Sequence, residues 1–406
     1  MVLRRTALIR GETPIAHTAL EGIRVIDLTS ARSGPMCTRI LAEFGAEVIR
    51  IERPGEASLV TQSFDEVDLH RGKKSVILDL GNADGGAILK RLVAGADVFV
   101  ENYRPRVKEQ LGIDYETLAG LNARLIYASI SGFGQTGPYR DRPGYDQIVQ
   151  GMSGLMSLTG TKATGPLRVG IPIADLLAGY FAAHGILLAL FERERSGRGQ
   201  WVETSLLAAL VGSLSFQAAK YLSTDEIPPP VGNHHPLVAP MGVYHAQDDY
   251  LNLAVGTEEM WRRLCRALGR PDLAEDARFR LNQDRVQHRD ALNTVLEAIL
   301  TTQPIAHWVS LLNDAGIPCG PVYRLDQVFA DPQVKHAGLV SEVHHPLYGP
   351  TKVLDTPVIL GRTPGRVTGP SPLKGEHTRE VLEGLGYDQE TMADLLSRGV
   401  AMETRR

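Results

Sequence analysis

IRVIDLTSARSGPMCTRILAEFGAEVIRI, residues 23–51, decides the architecture. Ile23–Leu28 (IRVIDL) is a stretch of strand length with four apolar residues of six, and it predicts a buried strand. A Ser-Gly-Pro turn leads into CTRILAEFGA, whose apolar positions recur at helical spacing, and Glu47–Ile51 returns to a strand pattern. Strand, helix and strand in that succession make a βαβ unit with parallel strands.

The alternation continues outward. Ser75–Leu80, Val98–Tyr103 and Leu125–Ser131 (LIYASIS) read as further strands, with the helical GGAILKRLVAGA between the first two of them. No GxGxxG follows the first strand, which speaks against a nicotinamide or flavin site; GxSxG, HExxH and P-loop motifs are missing too. From Gly144 to Tyr221 the pattern is mainly helical, broken by the strand-like GRGQWVET. STDEIPPPVGNHHP, residues 223–236, is dense in proline and turn formers and marks a linker.

Beyond it the texture changes. VYHAQDDYLNLAVG predicts a hairpin around Asp248-Asp249, and TEEMWRRLCRALG a helix with a threonine cap and an acidic first turn. Amphipathic helices follow at ALNTVLEAIL and PIAHWVSLLNDAG, then short strands in KVLDTPVIL and two terminal helices. The prediction is an α/β chain: a large Rossmann-like domain with a parallel sheet (1–222), a linker (223–236), a small α+β domain (237–330) and a return to the large domain (331–406).

A formal net charge of -4 over 406 residues argues against general binding to nucleic acid or to a membrane surface. Cys37, Cys265 and Cys319 lie far apart with no CxxC pair, which favours free thiols in a reducing compartment. MVLRRTALIRGETPIAH lacks the apolar stretch of a secretory signal, and the expectation is a cytoplasmic protein. His234, His235 and His245 have no companion ligand at metal-binding spacing and read as loop histidines.

The run after Pro172 carries the most unusual residue. RVGIPIADLLAGYFAAHGILLALFERERSG, residues 168–197, is an apolar helix with a carboxylate, Asp175, in its opening turn. An acid there opposes the helix dipole, which is reason enough for a purely structural role. Yet Asp175 shares its face with Ala178, Gly179 and Ala182, and small side chains leave room for a ligand or a second backbone. A poorly hydrated but ionised carboxylate suits a nucleophile.

Basic residues gather near the strands of the first domain: Arg50 and Arg53; Arg71, Lys73 and Lys74; Arg104, Arg106 and Lys108. Singly each suits a solvated surface, but their repetition suits a phosphorylated ligand in the crevice at the carboxyl ends of strands. SGFGQTGPYRDRPGYDQ, residues 131–147, is a glycine-rich loop able to approach a ligand closely. Cys319, in GIPCGPV, reads as packing.

Taken in order, the blocks LEGIRVIDLTSARSGPMCTRILAEFGAEVIRIERPG, RGKKSVILDL, DVFVENYRPRVKEQLGIDYETL, SGFGQTGPYRDRPGYDQIVQGMSGLMSLTG, GIPIADLLAG, SGRGQWVETSL, GIPCGPV and GEHTREVLEGLG resemble the family III CoA-transferases, the group related to formyl-CoA and carnitine CoA-transferases. The resemblance runs from about Leu20 to Ala401. It implies that Asp175 is the nucleophile, passing through a mixed anhydride and an aspartyl-CoA thioester, with CoA thioesters as substrates and no permanent cofactor or metal. It implies CoA contacts at Arg32, Ser33, Arg53, Arg71, Gly72, Lys73, Asn102, Tyr103 and Arg104, and a thioester-side segment at Arg142 and Tyr145. Arg32 stands where formyl-CoA transferase has glutamine. An interlocked homodimer is implied as well. The blocks GYDQIVQGMSGLMSLTG and FADPQVKHAGLVSEVHHP are most similar to members that take succinyl-CoA and small dicarboxylic acids.

Two rivals remain. A 2-methylacyl-CoA racemase of the same fold would need a base where Tyr145 stands in PGYDQ, and a phenol, which titrates at about pH 10, is a poor base at neutral pH. A non-catalytic CoA-binding protein would have no need of Asp175.

Overall fold

The structure is a computed structural model that describes residues 17–55 and 63–404. It divides into two compact units: one formed by the chain up to Leu155, Val169–Ser223 and the chain from Lys335 onward, the other by Met156–Arg168 and Thr224–Val334.

The first unit is built on a seven-stranded sheet. Its strands are β1 (Arg24–Leu28), β2 (Glu47–Glu52), β3 (Lys74–Leu78), β4 (Val98–Glu101), β5 (Ile126–Ser131), β6 (Trp201–Ser205) and β7 (Ala401–Met402). The spatial order is β7-β3-β2-β1-β4-β5-β6. All neighbours are parallel except β7, which runs antiparallel to β3. Helices cover both faces, which is why the central strands β1 and β4 and the end of β3 bury successive residues. Val25 joins Val98, Val100, Leu41, Ala178 and Ile186 on one side, while Ile26 and Leu28 join Ile51, Phe99, Leu92 and Leu382 on the other.

Strand order reverses between β1 and β4. In an open parallel sheet that reversal opens a crevice at the carboxyl ends of the two strands, the usual place for a ligand. It lies beside Thr29–Ser33 and Asn102–Arg104.

The strand at Val98 ends at Glu101, short of the predicted Tyr103. The Glu101 carboxylate takes the Tyr103 N–H at 2.8 Å, and Asn102 turns to Ser30, so neither residue continues the ladder. In KVLDTPVIL the strand Gly349–Leu354 pairs with Val340–His345 and stops at Leu354; Pro357 has no N–H to extend it.

The second unit has a three-stranded antiparallel sheet of Met241–His245, Tyr250–Ala254 and Cys319–Pro321. Its helices Glu258–Ala267, Arg289–Leu300 and Ile305–Asp314 pack Trp261, Leu264, Leu296 and Trp308 around the apolar side chains of that sheet. Residues 156–168, read from sequence as part of the large domain, group with this unit. Gly160 and Thr161 pair with Gly165 and Pro166, and the Gly160 carbonyl accepts the Gly232 N–H at 2.7 Å. Main-chain bonding to the proline-rich segment outweighs proximity in sequence.

Candidate active site

The helix Ile173–Ser196 begins one residue later than the sequence suggests: Pro172 caps it, its carbonyl accepting the Leu176 N–H at 3.0 Å. Asp175 remains in the first turn and is partly buried. The small face at Ala178, Gly179 and Ala182 is occupied by a second backbone. The helix Ser33–Glu43 crosses there, so closely that a Cβ on Gly179 would stand 2.7 Å from the Ser33 carbonyl oxygen. That contact brings the turn after β1 to the start of the long helix.

Asp146, which sequence reasoning passed over, completes the arrangement. It opens the helix Asp146–Met152 and is 8% exposed. Its Oδ1 accepts the Ala174 N–H at 2.8 Å and its Oδ2 accepts from Gln150 Nε2 at 2.7 Å. Gln150 Oε1 in turn holds the Val169 N–H at 2.9 Å. A carboxylate on a neighbouring helix thus satisfies one of the unpaired N–H groups at the start of the helix that carries Asp175. The sequence signals were its place at the end of the glycine-rich loop 131–147 and the Asp146-Gln150 pair, four residues apart on a helix entered from PGYDQ.

Burial pushes the Asp175 carboxyl up to about 6, the negative charge of Asp146 adds to the rise, and Arg32 opposes it. Such a group is still mostly ionised at neutral pH and is poorly solvated. Arg32 itself meets Asp65 through two parallel hydrogen bonds of 2.9 and 3.0 Å.

The switch-point crevice gathers several of the predicted CoA contacts. Asn102 Oδ1 accepts the Ser30 N–H at 3.0 Å, and its Nδ2 donates to the Ser30 carbonyl at 2.7 Å, tying the β4 exit to the β1 exit. Between Ser30 and Arg32 the chain passes through Ala31 at φ +61°, a left-handed conformation that costs a non-glycine residue energy and recurs at ligand-binding turns. Gly34 follows, where a Cβ would overlap the Thr29 side chain at 2.3 Å. Arg53 lies 5.0 Å over the Tyr103 ring, and Arg104 is exposed at the start of the helix Pro105–Leu111. Arg142, stacked 3.7 Å over Tyr139, and Tyr145, 68% exposed, lie on the loop that delivers Asp146.

Other basic residues of the predicted set face inward. Lys73 Nζ lies 3.0 Å from Asp27 Oδ2 and donates to Thr38 Oγ1 at 2.8 Å, with neither charged side chain exposed. Arg71 pairs with Glu43 and, at 2.6 Å, with Asp68. The Gly72 N–H is taken by the Pro370 carbonyl at 3.1 Å. Lys108 is buried between Glu101 and Gln135, at 3.0 and 2.6 Å. These cations are neutralised by carboxylates inside the unit, so the sequence-level basic cluster overstates the charge open to a ligand.

The second unit holds an open hollow of about 590 Å³ lined by Asn233, His235, Met241, Asn252 and Cys319 among others. Burial pushes the Cys319 thiol up to about 11, so it stays protonated at neutral pH, in keeping with a packing role. His234 stacks edge-on against Tyr244. Among the described residues no cluster of His, Cys, Asp and Glu is placed to hold a metal ion.

The family description CoA-transferase family III matches residues 20–378. The chain is 37% identical over 391 residues to succinyl-CoA:glutarate CoA-transferase from Mus musculus, covering 94% of this chain and 90% of that protein. It is 37% identical over 395 residues to succinate–glutarate CoA-transferase from Agrobacterium fabrum, covering 94% and 99%. Among solved structures, a CAIB/BAIF family protein from Brucella suis superposes with a TM-score of 0.82 at 34% identity, covering 91% of this chain and 100% of that one.

Proposed function

Because this chain belongs to CoA-transferase family III, we propose that it moves CoA from succinyl-CoA to a small dicarboxylic acid such as glutarate, with Asp175 as the nucleophile. The observation that carries the catalytic part is a partly buried carboxylate at a helix start, joined through Gly179 and Ser33 to a ligand crevice at a sheet switch point. The names of the two relatives support the substrate pair.

The chemistry balances without an external energy source. A carboxylate oxygen of Asp175 attacks the thioester carbonyl, the C–S bond breaks, and the electron pair leaves on the CoA sulfur. The thiolate then attacks the aspartyl carbonyl of the mixed anhydride, releasing succinate and leaving CoA on Asp175. The acceptor carboxylate attacks that thioester, again expelling the thiolate. Thiolate attack on the acceptor's acyl carbon frees Asp175 and forms the new CoA ester. Each step exchanges one activated acyl bond for another.

Arg53, Tyr103 and Arg104 offer charge and a ring face to the nucleotide, while Asn102 and Ser33 shape the turn that it would cross. A homodimer accords with Tyr180, Phe181, Leu188 and Phe191, which leave an apolar stripe exposed on the long helix of the single chain. Sedimentation of the pure protein reads the assembly state. A cytoplasmic setting suits the three free cysteines.

The test is transfer from succinyl-CoA to glutarate, malate, oxalate and formate, with each new ester identified by mass. Dicarboxyl-CoA products that vanish in Asp175→Ala support the proposal. Turnover retained by that variant overturns the nucleophile, and formation of formyl-CoA alone overturns the dicarboxylate assignment.

A further inference from the structure

Asp146 sits within the site yet takes no covalent part in the transfer as written. Its carboxylate accepts two N–H donors, from Ala174 at 2.8 Å and Gln150 at 2.7 Å, the acceptor-only arrangement of an ionised acid. Gln150 is fully buried and is itself fixed to Val169 at 2.9 Å. The Asp146 side chain is thus held rigidly against the residue immediately before Asp175, on a helix of its own. A cap alone would be served equally by Ser, Thr or Asn. Placing a second negative charge beside a partly buried nucleophile costs energy, and the fold nevertheless holds it there by two hydrogen bonds, with the donor of one, Gln150, itself fixed by a third.

Resting on the reading of Asp175 as nucleophile, we propose that Asp146 is a positioning residue that aims the first turn of the long helix and repels the Asp175 charge, a repulsion that ends when Asp175 is acylated. In that step the new O–C bond consumes the charge on Asp175, the C–S bond breaks, and the charge departs on the CoA sulfur. The pair is therefore strained in the resting enzyme and relaxed in both covalent forms, which lowers the barrier to acylation relative to an isolated carboxylate.

The surroundings of Asp175 carry few competing charges. On the helix Ser33–Glu43 the groups are Arg32 at its cap, held by Asp65, then Cys37, a buried thiol, with Arg39 and Glu43 further along, the latter two paired with Asp68 and Arg71. The helix Leu206–Gly212 has none. On β6 Glu203 accepts the Gln135 N–H at 2.6 Å, and on β5 Tyr127 packs into the opposite face of the sheet. The long helix itself adds Tyr180 and His184 beyond its first turn, with Glu192, Arg193, Glu194 and Arg195 at its far end. Asp146 and Arg32 are the two that act on Asp175, with opposite signs.

The experiment is the pH dependence of kcat/KM for transfer from succinyl-CoA in the full-length protein, Asp146→Asn and the exchange Asp146→Asn with Gln150→Glu, with Asp175→Ala beside them. Asn keeps an oxygen for Ala174. The exchange reverses the polarity of the 146–150 hydrogen bond and moves the charge one side chain away. The expected result is an acid limb displaced downward by about one pH unit in Asp146→Asn, and still displaced in the exchange variant while its melting temperature returns toward the parent's. Superimposable acid limbs in parent and folded variants overturn the proposal and leave Asp146 a plain cap. If Asp146→Asn does not fold, the exchange variant carries the same reading. Turnover by Asp175→Ala would sink instead the nucleophile assignment on which it rests.

Discussion

The backbone of Gly179 and the carbonyl of Ser33 are in such close register that a methyl group on Gly179 would come within 2.7 Å of that oxygen, and within 3.1 Å of Met36 Cβ. Nothing flexible can yield, because the first obstacle is main chain. Gly179→Ala is therefore expected to push the Ser33–Glu43 helix off the long helix, at a cost of about 1–3 kcal/mol. Calorimetry would record a lower melting temperature, and steady-state kinetics a lower kcat, because the same crossing sets Asp175 against the crevice. Unchanged values for both would mean that the two helices are not so joined.

Asp175 links activity to pH. Its folded value, raised to about 6, means that the nucleophile we propose is lost to protonation as pH falls through that value, so kcat/KM should drop along a limb of unit slope there. Arg32 holds the group down, and Arg32→Gln should move the limb to higher pH, opposite to the effect of removing Asp146. A limb unmoved by Arg32→Gln would deny the two groups any electrostatic contact.

The same shift bears on stability. A carboxylate whose folded pKa lies above its unfolded value binds more protons when folded, so between about 4 and 6 stability falls as pH rises. At neutral pH Asp175 thus costs folding energy. Asp175→Asn is expected to raise the melting temperature by roughly 2 °C while abolishing transfer, the exchange of stability for function found at active sites. A lower melting temperature would contradict the assigned burial.

The Lys73–Asp27 pair is sealed from solvent, with Thr29 and Thr38 also donating to Asp27. Removing one charge strands the other. Lys73→Met should cost about 3–5 kcal/mol, and Asp27→Leu added to it should recover much of that, because the loss comes from the orphaned carboxylate. Thermal unfolding of the single and double variants measures this directly; equal losses in both would place the cost in packing instead.

Arg53, by contrast, is exposed beside Tyr103. Arg53→Ala should raise KM for succinyl-CoA roughly tenfold, the worth of one charge-assisted phosphate contact, with the melting temperature little changed. A KM unmoved by the change would remove Arg53 from the nucleotide site.

Much of this was written locally. The mostly apolar, non-alternating stretches at Ile23–Leu28 and Leu125–Ser131 announce buried strands, because a strand with one wet side would alternate. The helix after Pro172, and the oddity of an acid in its first turn, follow from side-chain type and period alone. The ordered blocks that resemble family III CoA-transferases carried the family from the sequence by itself, in agreement with the family match over residues 20–378.

What only the tertiary structure decided are relations between residues distant in the chain. Strand order, and with it the crevice between β1 and β4, depends on which edges pair, and periodicity reports burial without naming the neighbour. Lys73 meets Asp27, 46 residues away, and Asp146 holds the N–H of Ala174, 28 residues away, and neither pairing is written in the local sequence. A charge is surface or core according to what it meets, and that meeting is made by packing.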